Sequence, residues 1–558
     1  MIATCLLMAA SLLTDETATL RRIENHLLIH DTVTAEQEAR EACQTYPESL
    51  SVQEAALKAF SQSGSEEEAL LAFSRWKALS KEGVPRRVYE ELAWGTIAKG
   101  ETSSFPTVRV ISLLAAYFGQ DARGLKIIER RLSDPNALVR LVAAQTASKL
   151  LDEPIKRAVL SKFETENDWE VRLELIRALG AMKMTGMKPR LIEIIGDGKT
   201  TMEEKGAAIE ALLAMLETVP KSELEILSNS DRASLRALSA KIITFLHEKE
   251  AFDILLKLLP DERAEVRGQA LLACGVLRYP PDATVRRLLR DPAFSVQLAA
   301  AYTILVSGSH EADSWIEDAL FLEKVEDARI VASMLVSAGS YGKSLAKKEL
   351  AKASDFYVRM NLALAALDGE ALEVLYRGVL ENRERWSREQ KGVFRPLVPS
   401  KETHRPLVPN WPEVVNKQTR LEILNLLAIK EHPQALEATR AFLKESDWGL
   451  SGMTSALLLT EGDDGADELI RKLLHDDDEN VRLQAALILA RWDQQEDTTS
   501  ILIQNYDNLP RDKKEIVLDA LGKIGSEEAI AFLVKEMASP HSTMRLIASA
   551  ALLRSLYD

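Results

Sequence analysis

Two dipeptides carry the side chains best suited to a metal: His247-Glu248 in FLHEKEAF and His310-Glu311 in SGSHEADSW. Ligands of a zinc-type centre must converge to within about 2.0–2.2 Å of the ion. The two pairs stand 63 residues apart, each just beyond a helix-patterned stretch, so they are expected at solvated turns. No catalytic, metal or cofactor residue is assigned. The three cysteines, Cys5, Cys43 and Cys274, are too few and too scattered for a disulfide framework or a four-ligand zinc site. No GxSxG, Walker loop, HExxH or paired CxxC occurs. LHDDDENVR, at 474 to 482, gathers enough acid to suggest calcium, but it lacks the alternating oxygen ligands and central glycine of a calcium loop. Helix capping is the expected role of those carboxylates.

The elements that must position any site are helical. The chain has 558 residues and only 6% aromatics, with leucine and alanine prominent, as in stacked helices. At that length a single core is unexpected, and several domains or a repeat array is the alternative. A net charge of −15 argues against a general role in coating nucleic acid or anionic membranes. No apolar run reaches the roughly 18 to 20 residues of a membrane-spanning helix. Residues 2 to 13 are nearly all apolar or small but have no preceding Lys or Arg. They fit half of a secretory signal, implying export if the start is trimmed, and fit equally a first helix ending near Thr14 and Asp15 in a cytoplasmic protein.

Self-similarity organises the rest. DPNALVRLVAAQTASKLL at 134 returns in altered form as DERAEVRGQALLACGVL at 261, SDFYVRMNLALAAL at 354 and DDENVRLQAALILARW at 477. The arginine position runs through Arg109, Arg140, Arg172, Lys205, Arg236, Arg267, Gln297, Arg329 and Arg359. After a gap it resumes through Arg420, Leu450, Arg482, Lys514 and Arg545. Outside the gap the steps are 30 to 33 residues. Within one period Val266, Ala270, Leu271, Cys274 and Leu277 follow a helical stripe, and EAFDILLKLLPDE supplies a preceding helix. Such a pair cannot bury its apolar faces alone, so neighbours must stack. The expected fold is all-α, a right-handed α-solenoid of stacked antiparallel helix pairs.

The DP…VR…AA…L pattern at a period near 31 resembles the HEAT repeats, in particular their short phycocyanobilin-lyase-type variant. The resemblance covers roughly 105 to 380 and 416 to 558. It implies a hydrogen-bonded ladder of Asp and Arg between adjacent repeats. Carried over, the ladder elements are Asp134 with Arg140, Asp168 with Arg172, Asp261 with Arg267, and Asp477 with Arg482, with interruptions at Gln297, Leu450 and Lys514. Residues 52 to 83, with Phe73 and Trp76, are similar to one tetratricopeptide hairpin. Resemblance to HEAT-type enzymes raises two activities, bilin attachment or detachment and metal-dependent hydroxylation. The di-iron hydroxylases carry four His-Glu pairs and this chain has two, while nothing marks a tetrapyrrole pocket. The organisation read from this is an apolar segment 1–14, tetratricopeptide-like hairpins 15–104, HEAT-like repeats 105–383, a helix extension and Pro-rich loop 384–415, and further HEAT-like repeats 416–558.

The gap from Arg359 to Arg420 spans 61 residues, about two periods, and holds VFRPLVPSKETHRPLVPNWP at 393 to 412. Its prolines, at 396, 399, 406, 409 and 412, remove donors and fix φ, which predicts an extended or polyproline-type loop. It is either a decayed repeat or an insertion. From Arg383 to Arg405 seven basic side chains stand against three acidic, on an otherwise acidic chain. Trp386, Arg395, His404, Arg405 and Trp411 are therefore candidate partner contacts, unless the loop packs back on its own array or serves only as a linker. The stretch from Glu461 to Asp497, with twelve acidic and four basic residues, is a second docking candidate, for a basic partner. The function expected is a non-enzymatic protein-binding scaffold, with no nucleic acid partner.

Overall fold

A computed structural model describes residues 2–119, 122–401, 411–445, 464–492 and 496–557. The described chain is all-α apart from one two-stranded hairpin, and its helices stack as antiparallel pairs. This is the general α-solenoid fold of HEAT and armadillo repeats. Polar side chains start many helices by accepting from free backbone N–H groups. Asn136 accepts from Leu138 and Val139, Thr201 from Glu204, and Asp355 from Val358. Small residues set the spacing between layers. A Cβ added at Gly180 would lie 2.5 Å from the Ala211 Cα, so these two helices approach backbone to backbone.

The periodic stripe is the core. Val266, Ala270, Leu271 and Cys274 are wholly buried on the helix Ala264–Val276. Burial pushes the Cys274 thiol up to about 12, which makes it a core residue and not a nucleophile. The first helix differs from its expected form. It runs unbroken from Ile2 to Leu28, through the polar pair at Thr14 and Asp15 where an end was predicted.

The chain divides into two compact units. One joins residues 1–171 with 482–558, and the other is 172–481. In the first, the last helix, Ser542–Tyr557, packs against Arg86–Glu101, Pro106–Phe118 and Arg511–Ile524. The Tyr557 hydroxyl donates to Glu90 at 2.8 Å, and the Arg86 guanidinium lies 3.5 Å from the Tyr557 ring centre. The final repeat thus stacks on helices encoded more than 400 residues earlier.

In the second unit the two-period gap resolves as an insertion inside one helix pair. Gly369–Glu381 packs on Trp411–Ile429, which carries Arg420, and residues 382–401 between them leave the helical layers. A helical extension beyond 384 was expected, and the structure corrects it. The helix stops at Glu381, and Trp386–Arg388 forms strand β1, paired antiparallel with β2, Leu397–Pro399. The stop lies at Asn382, whose backbone is extended (φ −82, ψ 121), and the helix-end carbonyls of Val379 and Asn382 are taken up by the Arg420 guanidinium in place of a further helical turn. Gly392, with φ +66, turns the hairpin tip where other residues are strained.

Candidate functional site

The arginines of the repeat make a regular set of bonds whose register differs from the expected one. Arg267 donates through Nε and Nη2 to both Asp291 carboxylate oxygens, each at 2.9 Å, and through Nη1 to the Asp261 carbonyl at 2.8 Å. Arg236 in turn holds the Asp261 carboxylate at 2.7 and 3.0 Å. Each fork therefore grips the carboxylate of the following repeat and reads only a backbone carbonyl in its own turn. Arg109 does the same with Asp134 and the Ser103 carbonyl, and Arg329 makes the carboxylate fork on Asp355. Arg140 takes Glu166, and Arg172 takes Glu204. The proposed pairs Asp134 with Arg140 and Asp261 with Arg267 are thus carbonyl contacts, not carboxylate pairs.

Asp168 instead caps its own helix through Glu170 and Val171. Asp476, one residue before the expected Asp477, takes the fork of Arg440. Arg482 lies on the helix Glu479–Trp492. Gln297 keeps the carbonyl bond, to Asp291 at 2.6 Å, without a carboxylate fork. Leu450 lies outside the described residues. At the far end Arg545 reaches Glu66 at 2.8 Å, so a carboxylate near the N-terminus stands where the next repeat would supply one.

The carboxyls of Asp134, Glu166, Asp261, Asp291 and Asp355 are held below their ordinary values. Burial alone would raise Glu166, but Arg140, the Asp168 amide and Lys162 outweigh it and hold it at about 2. The result is a stapled stack of helices, which is structure and not chemistry. His247 ends the helix Ala233–Leu246 in the left-handed region, and His310 pairs with Asp313 at 2.8 Å. Among the described residues no group of three or more His, Cys, Asp or Glu side chains could hold a metal ion. No helix among them is long and apolar enough to cross a membrane.

The inserted hairpin is the feature that sets this array apart. It lies across successive arginine-bearing helices of its own unit. Gly392 meets Leu272, Phe394 meets the Tyr302 ring edge-on at 5.3 Å, and Ser337 Oγ donates to the Val393 carbonyl at 3.3 Å. Trp386 sits under the Arg420 guanidinium, 4.2 Å from its ring centre, and its backbone N–H donates to Asn416 Oδ1 at 2.9 Å. Arg420 also donates to the carbonyls of Val379, Asn382 and Glu384 at 2.7 to 2.9 Å, tying the end of one helix to the start of the hairpin. Arg388 is largely buried within 4.0 Å of Glu422, and burial lowers its pKa from the ordinary value.

Of the five candidate contacts, Trp386 is a core residue of the hairpin and is closed to a partner while the hairpin is seated. Arg395 is half exposed, 3.7 Å from Glu422. Trp411 begins the following helix, and His404 and Arg405 lie outside the described residues. Sequence reasoning missed Asn361, Asn416 and Glu422. One signal was available: Asn361 is the lone polar residue after Arg359 in the apolar run RMNLALAAL.

Comparison with family models matches residues 466–554 to HEAT repeats. Comparison with curated proteins found no match. Among solved structures, the chain is similar to a karyopherin, Kap121p, bound to the extreme C-terminus of the phosphatase Cdc14p. That likeness has 12% identity and TM-score 0.37, covering 95% of this chain and 71% of that one. It is also similar to the Kap95:Nup1 complex, at 13% identity and TM-score 0.34, covering 93% and 77%. A third likeness is to the UNC-45 chaperone, at 12% identity and TM-score 0.31, covering 97% and 79%.

Proposed function

We propose that the chain is a non-enzymatic scaffold that binds protein partners along its layer of arginine-bearing helices. The observation that carries this reading is the hairpin, because that layer already holds an extended segment of chain through buried side chains and backbone bonds. Stacked repeats offer an extended surface that binds without any catalytic group. The period of 30 to 33 supports the short phycocyanobilin-lyase-type variant for the repeats, and residues 15–104 serve as the array's tetratricopeptide-like first layers.

Cross-linking of the intact protein in extract, read by mass spectrometry, tests the reading. A stoichiometric protein partner cross-linked to residues of the arginine-bearing layer is the expected result. A purified protein that is coloured, or carries one metal per chain, would overturn it in favour of a HEAT-type enzyme.

A further inference from the structure

Asn361 occupies the middle of the helix Phe356–Ala366, where asparagine is a poor helix former, and it is 0% exposed. Its side chain is fully engaged with strand β2. Oδ1 accepts from the Leu397 N–H at 2.9 Å, while Nδ2 donates to the Leu397 carbonyl at 2.9 Å and to the Tyr357 carbonyl at 2.8 Å. An amide that donates and accepts at once can read both backbone groups of one extended residue, whatever its side chain. Specificity then comes from the neighbours. Pro396 and Leu397 are buried, and the Arg395 guanidinium faces Glu422. Only three residue pairs join β2 to β1, so much of what holds β2 is the helical layer. The hairpin does not fill that layer. Beside its tip a groove of about 650 Å³ is lined by Gly268, Leu272, Phe294, Leu298 and Ile330.

We propose that the Asn361 face is a binding site for an extended peptide of the type basic–Pro–aliphatic–X–Pro, filled in the resting chain by its own Arg395–Pro399. A partner carrying that motif binds by displacing the hairpin. The chain itself spells RPLVP twice, at 395 to 399 and again at 405 to 409, so the seated copy is one of two with identical chemistry. This inference rests on the scaffold reading and names the chemistry of one partner. A tethered segment competes at an effective concentration in the millimolar range, so the free face should be far more receptive than the occupied one.

The test uses the full chain and a labelled octapeptide, VFRPLVPS. In a variant with residues 386–409, both RPLVP copies included, replaced by an equally long Gly-Ser linker, fluorescence polarisation should show binding at least tenfold tighter than to the unmodified protein. Adding Asn361→Leu, or replacing the peptide's leucine by aspartate, should weaken that binding at least tenfold. A linker variant with unchanged helical circular dichroism that fails to bind, or that binds equally well with Asn361→Leu, overturns the proposal. If the linker variant does not fold, hydrogen exchange decides on the unmodified chain. Millimolar peptide should speed exchange of the amides of residues 386–399 several-fold, and no change overturns the proposal. A partner cross-linked elsewhere on the arginine-bearing layer would leave the scaffold reading standing when this one fails.

Discussion

Arg267→Ala removes the most completely described rung of the ladder. Four hydrogen bonds are lost, two to the Asp291 carboxylate and two to the carbonyls of Asp261 and Glu262. The casualty is Asp291, which is left only 5% exposed, whereas Asp261 keeps its fork from Arg236. Stranding one member of a buried ion pair costs about 3–5 kcal/mol, and the surviving bond from the Ala293 amide lowers the expected cost to about 2–4 kcal/mol. Repeat arrays need not unfold in one step, so a global midpoint is a poor readout. Native-state hydrogen exchange of the helices Ala264–Val276 and Phe294–Val306 is the suitable assay. Protection there should fall by between about thirty- and a thousand-fold, at 1.4 kcal/mol for each factor of ten. The effect has a pH signature. Burial would raise the Asp291 carboxyl, but Arg267 and the Ala293 amide hold it below its ordinary 3.8. The stability from this pair is therefore present above that value and lost as pH falls below it, so the gap between wild type and variant should narrow in acid. Unchanged protection at neutral pH, or a gap that does not depend on pH, would refute the argument.

Glu166→Gln should destabilise the first unit at neutral pH, and the deficit should close between pH about 4.5 and 2, because the folded carboxyl is depressed to about 2. Urea titrations of both proteins across that window check it. His247, exposed with φ +55 and ψ +37, sits where glycine pays no Cβ penalty. His247→Gly is thus expected to stabilise by about 0.5–1 kcal/mol, while His247→Ala with His310→Ala leaves metal content unchanged by elemental analysis. Trp386→Ala empties the largest fully buried side chain among the described residues and should cost about 3–5 kcal/mol, read as faster proteolysis within residues 382–401.

Much of the architecture was legible in one dimension, because each helix pair repeats a local rule. Spacing of apolar residues names the buried stripe, acidic and Asn residues mark helix starts, and the recurring arginine marks most of the turns between Arg109 and Arg545. Prolines at 396 and 399 announced a segment outside the helices. What that segment does was hidden. Its anchors, Asn361, Tyr302 and Arg420, come from three different helices, and although Asn361 stands out as a polar residue in an apolar run, nothing local says which segment it meets.

The sequence by itself determined the helical repeat, its period and the arginine that staples it, since these follow from periodicities of a few residues and of about thirty. Only the tertiary structure decided which carboxylate each arginine meets. A guanidinium fork reaches across to the neighbouring layer, so Arg267 finds Asp291 and not the nearer Asp261 side chain. It also decided that Arg545 would meet Glu66, 479 residues away. Contacts of that kind depend on how layers stack, a sum of small offsets over many repeats that no local pattern records.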